Sequence, residues 1–323
     1  MNGAELERLA SSLCASAGVA AKADIGFVAE RLGLAGAAVP VGDDCAAIPD
    51  GDGHLLFAIE GFLNAFVAAD PWFAGWCGVM VNLSDIAAMG GRPLAVVDAV
   101  WADGEGHAAE ILYGMRAAAA AYGVPIVGGH TNLRTSHAQL AVAVLGRAGA
   151  RLLTSFDARP GDALVLVADH RGVYREPFDN FQAALDAPPE RLRGDLALLP
   201  DIAERGLARA AKDVSQGGVP GTAIMLAESS GVAIDLDLDA IVAPPGVARE
   251  RWLKTFPSYG FLLSVAPDAL APVLGLFHAR ELHAEVIGAV KTGSEVALIC
   301  GGRRALLRDH AADRLLGLTR SAP

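Results

Sequence analysis

Five short runs in the sequence carry side chains able to do chemistry together. Asp43 and Asp44 are adjacent carboxylates after Gly42, and two negative charges side by side repel unless a cation or a set of donors lies between them. Asn82 and Asp85 stand three apart, on one face of a helix, where an amide and a carboxylate amid apolar neighbours are costly unless paired or metal-bound. Gly128-Gly129-His130-Thr131 follows a short apolar run, so backbone can approach a ligand closely there with an imidazole next to it. Asp213-Val214-Ser215-Gln216-Gly217-Gly218 opens a helix whose first N–H groups suit an anion. Glu60 ends an apolar strand-like run. Each also has an ordinary structural reading: a solvated or capping Asp pair, a buried amide bond, a satisfied histidine, a helix cap, a strand-end carboxylate.

The elements that position them follow from pattern. Ala4 to Cys14 and Asp24 to Leu32 read as short helices, and residues 41 to 44 as a loop. His54 to Ile59 reads as a buried strand. Asp70-Pro71 supplies a cap and a first-turn proline; Trp76, Met80, Leu83 and Ala87 then recur at helical spacing until Gly90-Gly91, a helix of about five turns. A strand (Leu94 to Trp101), an Ala-rich helix (Glu105 to Tyr122) and strands at Val124 to Val127 and Gln139 to Leu145 follow. A break near 150 to 161 precedes a second alternation: a strand at Ala163 to Ala168, a helix at Arg191 to Ala210, a strand into Asp213 and a helix from Val219 to Glu228. Strands at Val232 to Leu236, Phe261 to Val265, His283 to Val290 and Val296 to Cys300 complete it. The expectation is an α/β (α+β) chain of two domains, 1–152 and 153–323.

The composition excludes several classes. With 26 Lys and Arg against 37 Asp and Glu, the net charge is −11, opposite to what a phosphate-backbone binder needs. No run of eighteen apolar residues occurs, because Arg92 and Asp98 interrupt the longest candidate, so no membrane span and no nucleic-acid partner are expected. The N-terminus carries Glu5, Glu7 and Arg8 in an amphipathic pattern, unlike a secretory signal; a cytoplasmic protein is expected. Cys14, Cys45, Cys77 and Cys300 form no CxxC pair and read as small buried hydrophobes. The P-loop, GxGxxG, GxSxG and HExxH patterns are absent, so phosphate chemistry would run through carboxylate-held metal ions.

Taken in order, the runs resemble the PurM superfamily of ATP-binding enzymes, which includes aminoimidazole ribonucleotide (AIR) synthase, thiamine-monophosphate kinase and selenophosphate synthetase. Gly42-Asp43-Asp44-Cys45-Ala46-Ala47 resembles its GDDAA loop, and Asn82-Leu83-Ser84-Asp85-Ile86-Ala87-Ala88-Met89-Gly90 with Pro93 its NLSDxAAMGxxP helix end. Gly128-Gly129-His130-Thr131 stands where GGDT, GGET or GGH is usual, and Asp213 to Gly218 resembles DxSDG. Ser258 to Leu263 and Val286 to Gly288 are similar to its C-terminal signatures.

The resemblance implies an N-terminal domain, with a β-sheet and helices, that forms a homodimer and holds ATP with Mg2+, and a C-terminal α/β domain. It implies Gly42, Asp43, Asp44, Asn82, Gly128, Gly129 and Thr131 at the nucleotide, and Asp43, Asp44, Glu60, Asp85 and His130 at metal. It also implies Asp85, Asp213 and His130 as catalytic residues, with a small-molecule phosphate acceptor.

Three positions depart from the pattern: Ile59-Glu60 for Thr-Asp, His130 for Asp, and Gln216 for the second Asp of DxSDG. An imidazole for a carboxylate tilts a site from Mg2+ towards Mn2+. The selenophosphate enzyme needs a nucleophilic Cys and a Lys in a Gly-rich loop, which Cys14 and Lys22 do not supply; a hydrogenase maturation factor needs a C-terminal Cys, and none follows Cys300. Gly128 to Ser136 is nearest to the kinase stretch, so a thiamine-monophosphate-kinase-like phosphotransferase, or an ATP-dependent synthase related to AIR synthase, ranks first. A nucleotide-binding regulator on the same fold is the alternative, and an acidic dimeric scaffold a third reading.

Overall fold

A computed structural model describes residues 1–34, 37 and 39–318. The chain forms two compact units, Asp44–Leu152 with Asp186–Glu204, and Met1–Asp43 with Leu153–Leu185 and Arg205–Pro323. Leu152 and Leu153 belong to different units, and the first 43 residues group with Leu153–Leu185 and Arg205–Pro323, not with Asp44–Leu152. The helices α1 (Gly3–Cys14), α2 (Ala17–Ala20) and α3 (Asp24–Arg31) precede the first strand. Leu6, Ala10, Leu13 and Val19 are buried in the core of the later unit, beside Leu166, Leu262 and Ile224. An amphipathic helix goes wherever its apolar stripe finds a partner, and composition does not say where that is. Asn2 and Glu5 close a reciprocal cap on α1.

The unit beginning at Asp44 holds β1 (Ala46–Asp50), β2 (Gly53–Gly61), α4 (Asn64–Ala69), α5 (Pro71–Ala88), β3 (Arg92–Asp103), α6 (Glu105–Tyr122), β4 (Ile126–Asn132) and β5 (Arg134–Ala148). Its sheet runs β1-β2-β5-β3-β4 and is antiparallel except for the β3–β4 pair. The helix α5 starts as its sequence predicts: the Asp70 side chain accepts from Phe73 N, Pro71 takes the first turn, and Gly90 turns away at φ +75°. It lies against α6 through glycines, since a Cβ at Gly75 would overlap the Ile111 carbonyl and one at Gly114 the Trp72 carbonyl. Leu56, Val96, Val100, Val142 and Val144 point from the sheet into this helical layer and are buried. The opposite face carries Phe57 (48% exposed), Ile59 (66%), Val97 (39%) and Leu145 (38%), cross-strand neighbours in two adjacent rows.

Two helices from the later chain, α7 (Pro189–Leu196) and α8 (Leu198–Arg205), also belong to this unit. Arg193 donates to the carbonyls of Ala120 and Ala121 at the end of α6, and Arg92 pairs with Asp201 and Glu204. The single helix expected over 191–210 is therefore two, stopped by Gly206 at φ +65° before the next strand begins.

The other unit is built on a seven-stranded sheet, β15-β14-β10-β13-β6-β12-β9. Its elements are β6 (Ala163–Ala168), β7 (Val173–Tyr174), β8 (Asn180–Gln182), β9 (Ala210–Asp213), α9 (Gly218–Ser230), β10 (Ala233–Asp237), α10 (Arg249–Leu253), β11 (Phe256–Pro257), β12 (Gly260–Val265), α11 (Leu270–His278), β13 (His283–Lys291), β14 (Glu295–Cys300) and β15 (Arg303–Asp309). A small sheet pairs β11, β8 and β7. The core on one face packs α9 and the N-terminal helices over Leu164, Leu166, Leu262, Ile234 and Leu298. Cys45, Cys77 and Cys300 are buried and Cys14 half-buried, all as free thiols. Among the described residues no single helix is long and apolar enough to cross a membrane.

Candidate nucleotide and metal site

The helix α5 carries the most constrained polar pair. Asn82 is fully buried; its Nδ2 donates to the Gly78 carbonyl at 2.8 Å, while its Oδ1 is buried without a hydrogen-bond donor. Asp85, one turn on, is 5% exposed. An acceptor left unsatisfied in a helix interior costs about 1–3 kcal/mol, so a fold that keeps one has a use for it or pays for nothing. The loop that begins at Asp44 meets the same end of α5: Cys45 N donates to Met89 Sδ at 3.0 Å, and Met89 follows Asp85 by one helical turn. This places the backbone that follows Asp44 at the end of α5 that carries Asp85.

Asp43 is occupied differently. Its Oδ2 accepts from Ser155 N at 2.8 Å and its Oδ1 from Ser155 Oγ at 2.6 Å. A carboxylate with both oxygens already on donors is a weaker candidate for a cation than its neighbour.

Glu60 lies elsewhere along α5. It pairs across the sheet with Val142, whose Cγ2 lies against Gly78, whereas Gly146, four residues on, lies against Ile86. Gly78 and Asp85 are seven residues apart, about 10 Å along the helix axis. On the far side of Val142 its partner is Asp98, so Glu60 and Asp98 share one cross-strand row on the helix-covered face. Burial pushes the Asp98 carboxyl up from its ordinary value. A Cβ at Gly129 would meet that carboxylate at 2.7 Å, so the second glycine of the Gly-Gly pair makes room for Asp98. Sequence reasoning met Asp98 only as an interruption of an apolar run; its partnership with Glu60 needs the register.

The run Gly128 to Thr131 is not a loop after a strand. It lies inside β4, paired in parallel with β3, and its side chains alternate in direction. Gly129 and Thr131 share the helix side with Asp98 and Val100; His130 pairs with Ala99 and points to the other face, its ring 6.1 Å from that of Trp101. The expected set Asp43, Asp44, Glu60, Asp85 and His130 is thus not one constellation: Glu60 and His130 point to opposite faces of the sheet. Among the described residues no three His, Cys, Asp or Glu side chains are grouped to hold a metal ion.

The residue types nevertheless suit a magnesium ion that arrives with phosphate. Asp44, Asp85 and Glu60 are hard oxygen donors, and Asn82 Oδ1 is a buried acceptor needing a positive partner. Mg2+ is ordinarily held by one or two carboxylates with phosphate oxygens and water completing its shell.

In the other unit, Asp213 ends β9 at 6% exposure, with its carbonyl accepting from Thr222 Oγ1 at 3.4 Å. The turn behind it is held by Val214 N to Gly260 O and Gly218 N to Ser215 O, each 2.9 Å, and the Ser215 hydroxyl is buried without a partner. α2 packs directly on this turn, since a Cβ at Gly18 would overlap the Gln216 carbonyl.

Comparison with known proteins agrees with this architecture. Residues 42–148 match the AIR synthase related protein, N-terminal domain, and residues 159–301 the corresponding C-terminal domain. An uncharacterised protein of Synechocystis is 49% identical over 90% of both chains. A thiamine-monophosphate kinase of Methanospirillum hungatei is 32% identical over 63% of this chain and 71% of its own. The structure of Thermotoga maritima PurL complexed with ATP superposes with a TM-score of 0.77 at 18% identity, covering 98% of this chain and 52% of that one; the chain spans about half the length of the PurL structures it matches. The chain belongs to the AIR synthase related family, within the PurM superfamily.

Proposed function

We propose that this chain is an ATP- and divalent-cation-dependent phosphotransferase or ATP-dependent synthase acting on a small-molecule acceptor, nearest in kind to thiamine-monophosphate kinase. The observation that carries the reading is the buried Asn82–Asp85 pair on α5, with an acceptor oxygen lacking a donor and the Asp44 loop bonded to the same helix end. A bound Mg2+ or Mn2+ would neutralise phosphate oxygens there. Asp44 and Asp85 would hold its carboxylate side and Asn82 would supply a neutral oxygen, while Gly128, where a Cβ would meet nothing within 4 Å, leaves the β4 backbone open to the nucleotide. Asp213 is the residue proposed to face the acceptor. The exposed apolar rows of Phe57, Ile59, Val97 and Leu145 support a homodimer through this sheet, and the protein is read as cytoplasmic.

The test is ADP release with ATP and Mg2+ or Mn2+, with and without thiamine monophosphate, beside Asp85→Asn. Acceptor-dependent release lost in the variant supports the reading, and release unaffected by the variant rejects these residues. His130, turned away from Glu60 and Asp98, favours one second reading, a nucleotide-binding regulator without catalysis. It predicts an ATP-dependent rise in melting temperature with no ADP formed for any acceptor.

A further inference from the structure

The last turn of α9 holds a fully buried carboxylate that no catalytic reading uses. Glu228 Oε2 accepts from Leu315 N at 2.6 Å, and its Oε1 accepts from Leu316 N at 3.0 Å and Gly317 N at 2.8 Å. Three backbone N–H groups on one carboxylate form a charge-assisted clasp, and it grips a segment beyond residue 301, where the family match ends. The segment is pressed from the other side by α3, because a Cβ at Gly26 would overlap the Leu316 carbonyl. It runs on to Leu318, whose Cδ1 lies 3.0 Å from where a Cβ on Gly42 would stand; Gly42 has φ +109°, a conformation that favours glycine.

Gly42 leads directly into Asp43, and Asp43 is tied back to the same helix. Ser155 gives both its N–H and its hydroxyl to the Asp43 carboxylate, and the Ser155 carbonyl accepts from Ser230 Oγ at 2.7 Å. Ser230 is the last residue of α9, two after Glu228. The contacts close a ring: α9 to the C-terminal segment, the segment to Gly42, Asp43 to Ser155, and Ser155 to α9.

We infer that Glu228 and the segment 315–318 are a positioning clamp for the Gly42-Asp43 loop, so that residues at the far end of the chain set the placement of a loop that the proposed function assigns to phosphate and metal. The inference rests on that reading for its functional consequence, though not for its geometry. Asp43 then acts chiefly as an anchor of the loop, leaving Asp44 to meet the cation.

Two variants in the full chain separate the arms. Glu228→Gln puts an amide N–H2 against Leu315 N–H, donor to donor, while keeping volume; Leu318→Ala removes only the packing on Gly42. Amide hydrogen exchange followed by mass spectrometry is expected to show exchange at residues 42 and 43 faster by about tenfold in both variants, with β6 and β12 unchanged. In the same variants ATP–Mg2+ affinity falls severalfold although Asp44, Asn82 and Asp85 are intact. Unchanged exchange at 42 and 43 in both variants overturns the clamp, as does a loosened loop with undiminished ATP–Mg2+ affinity. A wild-type chain that binds no nucleotide rejects the proposed function instead, and exchange alone then decides the clamp.

Discussion

The bond between Ser155 and Asp43 gives a measurable energy. Ser155 is fully buried and its hydroxyl donates to Asp43 Oδ1 at 2.6 Å, a short bond to an ionised acceptor. Hydrogen bonds to charged groups contribute about 1.5–3 kcal/mol, so Ser155→Ala is expected to destabilise by that amount. Alanine fits the space and leaves the Ser155 N–H on Oδ2, so only one bond is lost. For a unit of 150–250 residues each kcal/mol moves Tm by about 2–4 °C, which places the fall at about 3–12 °C. Asp43→Ala costs more, because it also strands the buried Ser155 N–H, at about 1–3 kcal/mol further. The double variant should resemble Asp43→Ala alone, giving a coupling energy of about 1.5–3 kcal/mol in a denaturant-unfolding cycle. A coupling near zero would refute the anchor role, and a rise in ATP–Mg2+ affinity on Ser155→Ala would show that the serine had been holding back a metal ligand.

Three further outcomes follow from other parts of the molecule. Burial raises the Asp98 carboxyl, so the folded state binds its proton more tightly than the unfolded chain and stability falls as pH climbs through the interval between the two values; Asp98→Asn should raise Tm at neutral pH, with the gain vanishing in acid, and no pH dependence of the difference would contradict this. Ile59→Asp places a charge in the exposed apolar row, and light scattering should show the proposed dimer replaced by monomer with the fold intact, whereas an unchanged mass would remove the sheet face as the interface. Gly75→Ala gains about 1 kcal/mol in helix propensity but drives a Cβ into the Ile111 carbonyl, and overpacking of about 1–3 kcal/mol or more should win; a rise in Tm would mean that α5 and α6 part easily.

What the sequence made legible was local. The cap, proline and glycine stop around α5 are all within one element, and the residues of each motif are neighbours in the chain. The placement of α1 to α3 on the later core did not follow, because an apolar stripe on Leu6, Ala10 and Leu13 names no partner. Nor did the faces of β4: a Gly-Gly-His run looks like a strand end, and only its pairing with β3 shows that His130 and Gly129 point oppositely. Asp43 met its partner 112 residues away and Glu228 met its own 87 to 89 residues away, separations at which spacing carries no signal.

The spread of carboxylates itself distinguishes two kinds of metal protein. A resident metal needs its ligands gathered before it arrives, because the protein supplies nearly the whole shell. Here Asp44 and Asp85 lie towards one end of α5, Glu60 and Asp98 share a row about two turns away, and no three acidic or imidazole groups converge among the described residues. That arrangement suits a cation carried in by a triphosphate, whose oxygens complete the shell and whose charge repays bringing the carboxylates together. Titration calorimetry should therefore find Mg2+ binding weak without nucleotide and strengthened by at least about tenfold, or roughly 1.4 kcal/mol, once ATP is bound. By reciprocity ATP should bind more tightly with Mg2+ by the same factor. Tight Mg2+ binding to the nucleotide-free chain, or affinity for ATP indifferent to Mg2+, would refute the argument, since either would require a preassembled set of ligands or none at all.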